Sequence, residues 1–167
     1  MGQKSLFTGF KLIEQELIRM VFPEWLKSDE KSDTFRTHVL DKHTIVEHFL
    51  DLLIVARFFG KVDSKESEVF RSNVLANMNF LRKVKALSGL GLLKKIESEI
   101  CTINNFRVAQ AHIKKNDPLR EPSKENWDNF NKCKEKVFHK LLNEIILRDG
   151  RFKEKLEKLM KSERQTI

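Results

Sequence analysis

The segment from Ile45 to Phe59 restricts how this chain can fold more than any other. On a helix, its apolar residues cover two faces: one with Ile45, Phe49, Leu52, Leu53 and Ala56, the other with Val46, Leu50, Ile54 and Phe58. A helix that is apolar nearly all round lies at the centre of a bundle or places one face against a partner chain. We expect this helix to begin at Thr34, with Asp33 or Thr34 as N-cap, and to end at Gly60. The sequence also allows a bend in this helix around Asp41 and Lys42.

Apolar residues elsewhere also recur at steps of three and four, which predicts further helices. The first covers Phe7 to Phe22, and the helix described above is the second. A third begins at Ser64 or Ser67 and runs through Phe70, Val74, Met78 and Leu81 to Leu87. A fourth runs from Leu92 through Ile96, Ile100 and Ile103, and a fifth runs from Ser123 to Asp149-Gly150. No segment alternates with the period of two that marks a strand. The sequence therefore predicts an all-α fold, an up-and-down bundle of about five main helices with antiparallel neighbours.

A chain of 167 residues suits a single domain. We divide it into an N-terminal helix at 1–26, an exposed loop at 27–33, a bundle core at 34–148 and a basic C-terminal helix at 151–167. We see no secretory signal and no apolar run that could span a bilayer, so the expected location is the cytoplasm. Two isolated cysteines lack metal-ligand spacing, and no cofactor or metal is expected.

The net charge is +8, from 32 Lys plus Arg against 24 Asp plus Glu. A surplus of this size favours polyanionic partners such as nucleic acid, although a generic basic surface explains it equally well. Basic clusters at Arg82-Lys83-Lys85, Lys94-Lys95 and Lys114-Lys115 would suit an RNA backbone, but interleaved glutamates also fit an ordinary solvated helix face.

Arg107 and His112 form the candidate catalytic pair. The apolar stripe of the fourth helix continues at a step of four from Ile103 onto Arg107, and a guanidinium there needs an anion, a hydrogen-bonding network or an open cleft. His112 lies about 140° round the helix and about 7.5 Å along its axis from Arg107. The two side chains can serve one site if the arginine swings across or if a two-fold dimer brings both copies together.

Each residue type has a specific use in phosphate chemistry. An arginine fork binds phosphate through two hydrogen bonds and stabilises charge that builds on it. A histidine can take a proton from a ribose 2′-hydroxyl or give one to a leaving oxygen. The pair therefore suffices for RNA cleavage without a metal, by internal attack of the 2′-hydroxyl. The structural alternative is that Arg107 pairs with a nearby carboxylate, for which Glu47 and Asp51 are candidates, and that His112 only ends the helix.

The segments Phe80 to Leu87, Leu90 to Leu93 and Ile100 to His112 resemble the HEPN superfamily, and within it the branch of mannitol operon repressor-like proteins. The family motif is an arginine, a polar residue, a few further residues and a histidine, commonly Arg-Asn-x-x-Ala-His. Here it stands as Arg107-Val108-Ala109-Gln110-Ala111-His112. The resemblance covers roughly residues 80–112.

The resemblance implies a helical homodimer in which both motifs line a cleft at the interface. It also implies a metal-independent endoribonuclease, of toxin or host-defence type, with Arg107 on the scissile phosphate and His112 in proton transfer. RNA and a cognate inhibitor or regulatory protein are the partners it suggests. Asn104 and Asn105 could replace the polar group that Val108 lacks, and with Lys114 and Lys115 they are the candidate substrate-binding residues.

Two other functions stay open. Several branches of the superfamily act as regulators or partners without cleavage, so the chain could be a non-catalytic dimeric regulator or interaction module. It could also be a basic nucleic-acid binder that does no chemistry.

Overall fold

The computed structural model describes residues 34–111, 117–150 and 154. This part of the chain is all-helical and contains no strand, which confirms the predicted all-α bundle. Its helices are α1 (Phe35–Phe59), α2 (Lys65–Asn73), α3 (Phe80–Gly89), α4 (Glu97–Ala111) and α5 (Lys124–Arg148), with 3₁₀ turns at Leu75–Asn77 and Pro118–Arg120. The regions predicted at 1–26, 27–33 and 151–167 lie outside the described residues, apart from Glu154.

Helix α1 is the central helix. Its N-cap is Thr34, whose side chain accepts a hydrogen bond from the Thr37 amide, and Gly60 ends it with a φ of 69°. It runs unbroken through Asp41 and Lys42. Twelve of its residues are buried: Phe35, Val39, Lys42, His43, Val46, Phe49, Leu50, Leu52, Leu53, Ile54, Val55 and Ala56. Of the two positions that its apolar faces allowed, the structure shows α1 at the centre of the described helices.

Helices α1, α4 and α5 form the main packing unit. Phe35 contacts Trp127, and the later Phe49 contacts the later Phe138, so α1 and α5 run parallel. Helix α4 runs antiparallel to α5, because Phe106 contacts Phe130 whereas the earlier Glu99 pairs with the later Lys136. The N-terminal halves of α1 and α5 and the C-terminal half of α4 therefore share one end, the Arg107 end of the bundle.

Two predicted helix boundaries were wrong. The third helix was expected to run continuously to Leu87, but it breaks between α2 and α3. The Asn79 side chain accepts a hydrogen bond from the Arg82 amide at 2.9 Å and begins α3 as a new helix. Helix α4 begins at Glu97 rather than Leu92, because Gly91 turns the chain with a φ of 73°. Leu93 and Ile96 are buried from this turn.

A buried ion pair joins α3 to α1. Lys83 Nζ lies 2.9 Å from Glu47 Oε1 and 2.9 Å from Asp51 Oδ1, and the lysine side chain is only 3% exposed. Burial acts to lower the pKa of Lys83, but the hydrogen bonds and charges of the two carboxylates outweigh it and hold the pKa above its usual value. For Asp51, burial raises the pKa, and the hydrogen bond and positive charge of Lys83 oppose this shift without reversing it.

Replacing Lys83 by Met should lower the free energy of unfolding by about 2–4 kcal/mol, because two carboxylates would lose their shared cation. Urea unfolding followed by circular dichroism measures this. Lys85→Met is the matched control, since Lys85 is exposed, and its effect should stay within about 0.5 kcal/mol.

Adding Glu47→Gln and Asp51→Asn to the Lys83→Met chain should recover part of the lost stability, because no uncompensated charge would remain. Equal stability of the Lys83→Met and Lys85→Met variants would contradict the ion pair.

Candidate functional site

Arg107 is exposed on the C-terminal half of α4. Ile103 and Phe106 are fully buried and Gln110 is nearly so, which means that the apolar stripe continues onto Phe106 and passes beside Arg107. None of the ion pairs among the described residues includes Arg107. Of the environments that the sequence allowed for this guanidinium, the structure selects one that is open to solvent.

A histidine from α1 meets α4 next to this arginine. His43 Nε2 lies 3.3 Å from Asn104 Oδ1. Asn104 precedes Arg107 by three residues, so their side chains project from one face of α4, about 60° apart around the axis. The His43 ring packs against Phe80 of α3, with centroids 4.4 Å apart and an interplanar angle of 33°. Three helices thus contribute to a cluster that we call the His43 cluster: His43, Phe80, Asn104 and Arg107.

Burial and the charge of Arg107 favour the neutral form of the His43 imidazole. Burial lowers the pKa of His43, and the positive charge of Arg107 lowers it further. The hydrogen bond with Asn104 and the negative charge of Glu47 oppose this shift without reversing it. Because an oxygen acceptor faces Nε2, the neutral ring carries its proton on Nε2 and donates it to Asn104.

The carboxylates predicted as partners for Arg107 pair with another cation. Glu47 and Asp51 pair with Lys83, so the prediction that they pair with Arg107 across the bundle was wrong. This pairing also removes Lys83 from the basic cluster Arg82-Lys83-Lys85, because its side chain is buried between helices. Arg82 and Lys85 are exposed.

The remaining predicted site residues divide in two groups. Asn105 is exposed on α4, whereas Asn104 is half-buried against His43, so the structure brings only the latter into contact with α1. His112, Lys114 and Lys115 lie outside the described residues. Gln110, the fourth residue of the motif, donates from Nε2 to the Leu119 carbonyl at 3.0 Å and ties the end of α4 to the 3₁₀ turn.

Sequence reasoning missed His43 as a site residue. His38, His43 and His48 recur at a step of five, which on a helix turns successive side chains about 140° apart and does not suit a shared metal. The available signal was that Val39, His43 and Val46 follow steps of four and three along the buried stripe of α1. A histidine at such a position needs a polar partner, and Asn104 supplies it.

A surface groove of about 710 Å³ lies at the opposite end of the bundle, lined by Ala56, Arg57, Gly60, Glu144, Leu147 and Arg148. No predicted site residue lines it. The described part of the chain contains no cluster of three or more His, Cys, Asp or Glu suited to a metal ion. Within the same described ranges, no helix combines the length and apolar character needed to cross a membrane.

Comparison with protein-family models, with curated proteins and with solved structures finds no match to this chain.

Acidification should destabilise the protein through His43. The folded state holds the pKa of His43 below its ordinary value, so the unfolded chain binds a proton first as the pH falls below that value. Stability due to His43 is therefore full at neutral pH and is lost below about pH 6.5. Chemical unfolding at a series of pH values between about 7 and 5 should show a smaller loss for His43→Gln than for the wild type.

Asn104→Ala should act in the opposite direction, because it removes a hydrogen bond that raises the pKa of His43. Its loss of stability on acidification should exceed that of the wild type. Asp51 contributes its own pH dependence, which is common to all three proteins and cancels in the comparison. If the stability of His43→Gln fell with pH as steeply as that of the wild type, the assignment of this pH dependence to His43 would be wrong.

Proposed function

We propose that this chain is a HEPN-type, metal-independent endoribonuclease, acting as a homodimer of toxin or host-defence type at a site built from Arg107 and His112. One observation supports this most: Arg107 is exposed and outside every described ion pair, with the Asn104 amide on the same face of α4. An unpaired guanidinium keeps its five N–H donors available to an anion. An exposed guanidinium beside an amide suits phosphate.

In the proposed reaction, Arg107 holds two oxygens of the scissile phosphate. The ribose 2′-oxygen attacks phosphorus and forms a P–O bond, while the bond to the 5′-oxygen of the next nucleotide breaks. His112 accepts the proton of the 2′-hydroxyl and returns a proton to the departing 5′-oxygen, so that it ends the reaction in its starting form. The products are a 2′,3′-cyclic phosphate and a free 5′-hydroxyl. Arg107 stabilises the extra charge on the phosphorane-like transition state.

The proposed partners follow from the same chemistry. RNA is the substrate, and the surplus of eight positive charges favours its approach. A cognate inhibitor or regulatory protein would restrain an active nuclease of this kind. Two copies of the chain would place both motifs along a shared cleft.

The second candidate is a non-catalytic dimeric regulator or interaction module. Val108 favours it, because a half-buried valine stands where the family motif has a polar group. In that case Arg107 would stabilise the folded chain or the dimer interface. Its removal would lower the free energy of unfolding or weaken the dimer.

Arg107→Ala and His112→Ala should each slow cleavage of RNA by at least ~100-fold. Arg107→Lys should cleave RNA at a rate between those of the wild type and Arg107→Ala. The lysine ammonium keeps the positive charge but cannot form the two parallel hydrogen bonds of a guanidinium. The measurement is gel analysis of end-labelled RNA in EDTA, with detection of the 2′,3′-cyclic phosphate. Arg57→Ala is the matched control, since it removes an exposed arginine from the opposite end of the bundle.

Sedimentation and thermal unfolding of the same variants separate the two candidates. If the chain is a nuclease, Arg107→Ala should keep its oligomeric state and change the free energy of unfolding by less than about 0.5 kcal/mol, because the side chain is exposed. Absence of any RNA cleavage by the wild type, together with dissociation or unfolding of Arg107→Ala, would replace the nuclease with the regulator.

A further inference from the structure

We propose that His43 is a positioning residue for phosphate binding: it holds the Asn104 amide so that Asn104 and Arg107 bind one RNA phosphate together. This inference rests on the proposed function and adds to it a residue from α1, far from the motif in sequence. It assigns to Asn104 a hydrogen bond to phosphate that the apolar side chain of Val108 has no group to make.

The orientation of the amide follows from its contact with the ring. His43 Nε2 donates to Asn104 Oδ1 at 3.3 Å, so the amide oxygen is turned toward α1. The amide nitrogen Nδ2 sits on the other branch of the same planar group and is directed away from His43. Asn104 thereby turns its two N–H donors away from α1, instead of an oxygen that would repel phosphate.

The ring itself is held by its surroundings. His43 is 6% exposed, and Phe80 packs on its face with centroids 4.4 Å apart. An imidazole packed in this way has few rotamers, so the position of Nε2 is set before any ligand arrives. A preorganised donor of this kind costs little ordering when the anion binds.

Arg107 completes the pair of donors. It follows Asn104 by three residues, a rise of about 4.5 Å along α4. A phosphate group is wide enough to accept from both positions, with the charged fork on its two non-bridging oxygens and the amide sharing one of them. The role of His43 also explains why a polar residue occupies the stripe between Val39 and Val46: its function is exerted through Asn104 at the surface.

Three substitutions at position 43 distinguish positioning from simple packing. Gln places an N–H donor close to where Nε2 stands, Asn cannot reach that point, and Leu keeps the bulk without any donor. Affinity is measured by fluorescence anisotropy with a labelled single-stranded RNA that carries 2′-O-methyl groups throughout and cannot be cleaved. Circular dichroism establishes that each variant is folded at the temperature used.

His43→Gln should bind this RNA within about twofold of the wild type, whereas His43→Asn and His43→Leu should bind about fivefold to tenfold more weakly. In an Asn104→Leu background, adding His43→Leu should cause no further loss of affinity, because the amide through which position 43 acts is gone. Equal losses in the Gln and Asn variants, or no loss in any variant, would overturn the inference.

The imidazole tautomer supplies an independent readout. Long-range ¹H–¹⁵N correlation spectra of the wild type should show a neutral His43 ring protonated at Nε2. Protonation at Nδ1 would mean that the amide nitrogen faces the ring, and it would overturn the inference. Failure of the wild type to bind RNA contradicts the proposed function and the inference with it, while normal binding with the wrong tautomer contradicts the inference alone.

Discussion

Burial of α1 on nearly all sides is the constraint on which the remaining structure depends. Residues 49–56 of this helix are buried apart from the half-buried Asp51, because the other described helices pack around it. Helices α4 and α5 cover two sides, and α2 and α3 pack on the rest. Polar side chains on the buried faces of α1 therefore enter helix–helix contacts instead of solvent, and each needs a partner there.

Two polar contacts of this kind place α3 and α4 on α1. Lys83 of α3 reaches Glu47 and Asp51, and Asn104 of α4 reaches His43. The first satisfies a buried charge, and the second brings an imidazole beside an exposed arginine. A single helix face thus links the stability of the bundle to the geometry of the candidate site, since His43 and Glu47 are one turn apart on α1.

Local chemistry explains which parts of the fold could be predicted from sequence. Thr34, Ser64 and Ser123 each accept a hydrogen bond from an amide three residues on, and such caps depend only on neighbouring residues. The break before α3 was missed because Phe70, Val74, Met78 and Leu81 keep a helical spacing across it, which hid the cap at Asn79. Leu93 and Ile96 show that burial at helical spacing does not require a helix.

The candidate site was predictable only in part, for the opposite reason. Arg107 could be singled out because a charged residue at the end of an apolar stripe is conspicuous in one segment. His43 and Asn104 are 61 residues apart, and no local pattern pairs them, or pairs Lys83 with Glu47. The apolar stripe also admits two continuations after Ile103, and only packing selects Phe106 over Arg107 for the interior.

The central claim is that the face of α4 bearing Asn104 and Arg107 binds an RNA phosphate. The most direct measurement is an NMR titration of ¹⁵N-labelled protein with non-cleavable RNA, following side-chain signals. We expect saturable shifts of the Asn104 amide and the Arg107 Nε–H that occur together. Shifts confined to Arg57 and Arg148 at the opposite end of the bundle, with Asn104 and Arg107 unmoved, would contradict it.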